Sequence, residues 1–196
     1  MGHEATTSPD NCDALATELE QRVHRTQQKA ALSVNRKLVL LYWSIGRDIL
    51  IRQRTEGWGT EAVGRLAKDL RRRFPEMTGL SERNLGYMRA FAETWPDLQF
   101  VQQVLVQLPW GHNTLLLDGL ETREQREWYA CQAVQHGWSR DVLSQQIESG
   151  LLARQGGVPA DFSRTPPAAQ SELARQIIGY QDNLDLLSPR SDRPER

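Results

Sequence analysis

Seven cations fall within residues 60–95: Arg65, Lys68, Arg71, Arg72, Arg73, Arg83 and Arg89. Such a set suits one chemistry above others, the holding of phosphate oxygens, by arginine through a two-pronged fork and by lysine as a point charge. Tyr87 adds a hydroxyl able to bond a phosphate, and Ser81 opens a segment whose free backbone N–H groups would form an anion site. Glu61, Asp69, Glu76, Glu82 and Glu93 lie in the same stretch, so the local excess of positive charge is small. Other constellations carry less. Cys131 and His136 stand five apart with no second pair, a poor zinc site, and Cys131 suits a buried small residue better. Gly57-Trp58-Gly59 lacks the lysine of a phosphate loop and reads as a turn. His112, in "LPWGHN", is the most suggestive lone ionisable group, although fixing a turn is the commoner use of such a histidine. No catalytic set, metal site or cofactor motif emerges.

The elements that must position these cations are helical. Between Asp13 and Arg54 there is no proline and one glycine, Gly46, which predicts one long helix or two nearly continuous ones. Val34, Leu38, Leu41, Tyr42, Ile45 and Ile49 make one face of it, and Leu40, Trp43, Leu50 and Ile51 broaden the apolar surface. Such breadth places the helix centrally in the fold or against another subunit. Thr60 is a candidate cap for a helix to Phe74, with Val63, Leu66, Ala67, Leu70 and Phe74 inward and Arg65, Lys68 and Arg72 outward. Ser81 caps the next, running to Trp95, with Leu85, Met88, Phe91, Ala92 and Trp95 inward and Arg83, Gly86 and Ala90 outward. Gly86 and Ala90 are small enough to let a groove floor come close. Further helices are expected at 98–108, from the capping box Thr122–Gln125 to His136, after Ser139 at 140–153, and at 168–180. The apolar stretch 113–120 is of uncertain type and leaves room for a wing hairpin around 109–120.

This spells an all-α domain over residues 12–153 with a helix-turn-helix core, between a tail at 1–11 and a linker at 154–167. A terminal helix within 168–187 and a tail at 188–196 follow. Two packed helices with a solvated charged face give the same pattern as a nucleic-acid reader, and the two readings stay open at this level. Twenty-four basic and 25 acidic residues nearly cancel, so a nucleic-acid face would have to be a local patch. Lys29, Lys37 and Lys68 are the only lysines and the other 21 basic residues are arginines, a skew that the equal supply of acids assigns to compositional bias. Two cysteines, Cys12 and Cys131, make no disulfide framework, and no apolar run or signal pattern points to a membrane or export. The expected location is the cytoplasm.

The segments "GWGTEAVGRLAKDLRRRFPEMTGLSERNLGYMRAFAETWP", "QLPWGHN" and "GWSRDVLSQQIESGLLARQG" together resemble the N-terminal domain of the YhcG family, from about Leu38 to Leu187. That resemblance implies a winged-helix-like, DNA-binding domain ahead of a PD-(D/E)XK nuclease domain. The junction segment is similar too, but the family's Asp-Pro-Tyr step reads Gly179-Tyr180-Gln181-Asp182 here. The nuclease chemistry needs a lysine two residues after a metal-binding acid, and the residues two before Lys29, Lys37 and Lys68 are Gln27, Asn35 and Leu66. The chain is therefore expected to be non-catalytic. Its expected partner is double-stranded DNA, held by Arg65, Lys68, Arg71, Arg72, Ser81, Arg83, Tyr87 and Arg89. The alternative is an interaction module that pairs with itself through the long N-terminal helix, or with a separate nuclease subunit.

Overall fold

A computed structural model describes residues 9–156 and 170–179. Within them run α1 (Pro9–Glu56), α2 (Thr60–Arg73), α3 (Glu82–Thr94), α4 (Leu98–Gln103), a 3-10 turn (Leu105–Gln107), α5 (Trp110–Gly119), α6 (Arg123–His136), α7 (Arg140–Glu148), α8 (Leu151–Arg154) and α9 (Gln170–Gly179). The class is all-α, with no strand among the described residues. The expected tail beyond residue 187, residues 1–8, most of the linker and residues 180–187 lie outside them.

α1 is one unbroken helix of 48 residues, about 72 Å long. It starts at Pro9, inside the expected tail, with proline at the first helical position, where its missing N–H costs nothing. Leu38, Val39, Tyr42, Ile49 and Leu50 are buried, and Trp43 donates its indole N–H to the Trp95 carbonyl at 2.8 Å. The broad apolar surface of α1 is therefore largely used inside the fold. Leu41 and Ile51 are not: they remain 41 % and 50 % exposed.

α3 is the central helix. Leu85, Met88, Phe91, Ala92 and Trp95 are all buried as the spacing predicts, and α1, α2 and α5 all pack on it. α1 and α3 cross at Gly46, where backbone meets backbone: a Cβ there would fall 1.9 Å from the Met88 carbonyl oxygen. Phe91 sits edge-on to Trp110, which does the same to Tyr42, so aromatic rings join α3, α5 and α1.

Five local expectations change: the helix expected at 98–108 is α4 followed by a separate 3-10 turn, and that expected at 140–153 is two helices, α7 and α8, parted at Gly150 with φ 63°. The segment 109–120 is helix α5, not a wing, with Trp110, His112, Asn113 and Leu116 buried. Thr60 is the first residue of α2 rather than its cap, and the Gly59 position carries no side-chain cap. Phe74, expected inward, is 52 % exposed. Elsewhere the signals hold: Thr122 and Gln125 form a capping box, Gly137 ends α6 with φ 62°, and Ser139 caps α7.

His112 is a structural histidine. It is buried, and its Nε2–H donates to the Trp138 carbonyl at 2.9 Å, while Nδ1 is buried with no partner. Burial lowers its pKa, helped by the nearby Arg140 and opposed by the Trp138 bond. A depressed folded-state pKa means that the unfolded chain takes up the proton first. The contribution of neutral His112 is thus intact above about pH 6.5 and is lost as pH falls from there towards the folded pKa. His112→Gln, which can keep a donor to Trp138, should flatten the stability difference between pH 5 and pH 7 in denaturant titrations; an unchanged slope would assign that pH dependence to other groups.

Candidate nucleic-acid interface

α2 lies on the outside of the body, held by Val63 and Ala67, which are buried against it. Its outer side carries Arg65, Lys68, Arg71, Arg72 and Arg73, all exposed. Arg72 pairs with Asp69 one turn back; both groups remain largely in water, so the pair is weak and exchangeable. Arg65, Lys68, Arg71 and Arg73 make no ion pair among the described residues. Three arginines in the last turn also face the negative end of the helix dipole, which favours them there without neutralising them.

The α3 side of the expected site is built differently. Ser81 uses its hydroxyl oxygen as the helix cap, accepting the Asn84 backbone N–H at 3.2 Å, so that oxygen is committed to the fold. The Tyr87 hydroxyl donates to Asp118 of α5 at 2.7 Å and accepts from Arg83 at 3.3 Å. Arg83 also lies over the Tyr87 ring, 5.6 Å from its centre, and the hydroxyl bond holds its pKa above the usual arginine value. Arg89 pairs with Glu93 at 3.1 Å. Only Glu82, Arg83 and Glu93 of α3 are well exposed, and two of these are acidic.

This arrangement separates the expected residues into two groups. Arg65, Lys68, Arg71 and Arg72 form one accessible basic strip on α2. Arg83, Tyr87 and Arg89 form a second patch in which each polar group already has a protein partner. Gly86 faces open space, as expected of an outward glycine, with nothing within 4 Å of an added Cβ. Asp118 was not visible from the sequence. It sits 31 residues from Tyr87 along the chain and reduces the already small positive excess. The link from α2 to α3, Phe74 to Ser81, is longer than the three or four residues usual in a helix-turn-helix. It is fastened from below by Asn84, whose Nδ2 donates to the Gly79 carbonyl at 2.6 Å and whose Oδ1 accepts the Trp110 indole N–H at 2.7 Å.

Among the described residues no group of three or more His, Cys, Asp or Glu side chains comes together in a way that could hold a metal ion. Cys131 is buried within α6, and His136 stacks on Trp138 at 5.7 Å. Among the described residues no helix is long and apolar enough to cross a membrane.

A family model described as the DUF1016 N-terminal domain matches residues 18–154, which takes in α2, α3 and every residue of the basic strip. No curated protein and no solved structure matches the chain.

Proposed function

The chain belongs to the DUF1016 N-terminal domain family, and we propose that it is a non-catalytic, cytoplasmic DNA-binding module in which the outer face of α2 lies along a phosphate backbone. The observation that carries this reading is the strip of cations on α2, exposed on one helix and mostly without carboxylate partners. Phosphate contacts fix register and orientation, and they tolerate the modest charge seen here because each acts locally. α3, largely buried, serves as the platform for α2 rather than as a helix inserted deep in a groove. Arg83 and Arg89 contribute at its edge, after giving up the bonds to Tyr87 and Glu93. The resemblance to the YhcG family favours the same role, a targeting domain that works with a nuclease domain or subunit.

The test is a titration of labelled duplex DNA at two salt concentrations. Replacing Arg65, Lys68 and Arg71 together with alanine should weaken binding at least about tenfold and reduce the salt slope by roughly three. Replacing Arg83 and Arg89 should weaken binding less, since both start from paired states. Equal affinity of the triple variant and the parent protein would sink the assignment.

A further inference from the structure

Along its N-terminal part α1 projects as an arm. Every residue from Cys12 to Gln27 is exposed, and Leu15, Leu19 and Val23 follow at four-residue steps along one side, between 45 % and 54 % exposed. α9 meets the other side of this arm, where Arg175 lies by Gln21, His24 and Gln28. Some four helical turns carrying three bare aliphatic side chains gain little from propensity alone, because isolated helices of that length are marginal in water.

A second apolar feature lies between α1 and α2, a groove of about 520 Å³ lined chiefly by Leu41, Ile45, Leu66, Leu70, Phe74 and Met77. Leu41 and Phe74 stand at its rim, 41 % and 52 % exposed. The large hydrophobic side chains exposed among the described residues are Leu15, Leu19, Val23, Leu41, Ile51 and Phe74. Three of them therefore sit on the arm, two on the groove, and Ile51 on the same helix beyond it.

We propose that this groove receives the N-terminal arm of a second copy of the chain, and that the contact is made twice about a two-fold axis. Both apolar stripes are borne by α1, and both step by four residues, so antiparallel α1 helices that set Leu19 against Ile45 of the other copy also set Val23 against its Leu41. Ridges of this spacing interdigitate. The reciprocal contact closes on itself as a dimer, where a one-way contact would propagate into a fibre. Charge fits the same arrangement. Asp13, Glu18 and Glu20 are the only charged residues from Cys12 to Glu20, and this register sets Asp13 beside the partner's Arg52 and Glu18 beside the partner's Arg47, while Asp48, on the same groove, offsets part of that attraction. The basic strip of α2 points away from the groove, so this pairing neither requires DNA binding nor excludes it.

Light scattering on the whole chain over a range of concentrations tests the pairing without DNA. The parent protein should dimerise, and Leu19→Asp on the arm and Leu41→Asp on the groove should each raise the dissociation constant at least about tenfold. Circular dichroism would show whether either variant is unfolded, and Phe74→Glu, at an exposed rim position, replaces Leu41→Asp if needed. Mixing the arm variant with the groove variant should restore pairing, since one intact arm then meets one intact groove. A parent protein that stays monomeric at high concentration overturns the proposal. So does a dimer that survives both variants. Loss with the arm variant alone, without rescue on mixing, would indicate arm-to-arm pairing and equally overturn the groove assignment.

Discussion

Gly46→Val should leave little folded protein. A Cβ at this position would lie 1.9 Å from the Met88 carbonyl oxygen and 2.9 Å from the Ala92 Cβ. The nearest obstacle is backbone, inside the central helix, so no rotamer change relieves it. α1 and α3 would have to separate, opening the contacts of Leu85, Phe91 and Trp95 on the way. Overpacking of a core costs up to about 3 kcal/mol when side chains can adjust, and a backbone clash belongs at or above that limit. A domain with about 5–15 kcal/mol in total has little margin for it. Two other helical glycines are controls. Gly86 faces open space, and Gly86→Ala should stabilise α3 by about 0.5–1 kcal/mol through propensity alone. At Gly64 a Cβ would meet only the movable Glu82 carboxylate, at 3.3 Å, so Gly64→Ala should be near neutral or better. Urea unfolding followed by circular dichroism reads all three, and a Gly46 variant as stable as the Gly86 variant would mean that the helices do not cross at this point.

That contrast shows what the sequence discloses and what it withholds. The all-α class, the inward residues of α3 and the caps at Ser81, Thr122 and Ser139 follow from signals within one or two turns of chain. Gly46 is conspicuous as the lone glycine of a long proline-free segment, but its reason is a carbonyl more than 40 residues away. Segment 110–119 hides its helical period because residues on nearly every side of it are buried or half-buried, among them Trp110, His112, Leu115, Leu116 and Leu117. With no polar face, helix and buried strand look alike. Phe74 and Leu41 fit the apolar stripes of α2 and α1, yet whether a stripe's margin is covered depends on how far the neighbouring helix extends. At the candidate interface the exposure of Arg65, Lys68, Arg71 and Arg72 was legible from the alternation of faces on α2. The commitment of Tyr87 to Asp118 was settled by a partner 31 residues away that periodicity does not reveal.

Asn84→Ala should cost about 2–3 kcal/mol, and its second effect discriminates between the two parts of the proposed interface. Asn84 fastens the link between α2 and α3 to the body: it donates to the Gly79 carbonyl, accepts from the Trp110 indole and bonds the Tyr42 side chain. Tyr42 is buried enough for its pKa to rise to about 12, with the Asn84 bond only partly opposing the effect of burial, so the phenol stays protonated throughout the working range. Truncation leaves a carbonyl, an indole N–H and a phenol short of a partner in a half-buried place, at roughly 1 kcal/mol each. Asn84→Asp should do no better, since it retains an acceptor for Trp110 but turns a carboxylate towards the Gly79 carbonyl. Neither change touches a basic residue. If DNA is held jointly by α2 and the edge of α3, loosening their connection should weaken binding several-fold under conditions where the variant is still folded, with the salt slope unchanged because the number of phosphate contacts is the same. If affinity holds while stability falls, α2 alone carries the contact and Arg83 and Arg89 lie outside it. A fall in the salt slope would be a different result again, showing that the angle between the two helices governs how many phosphates the protein can reach.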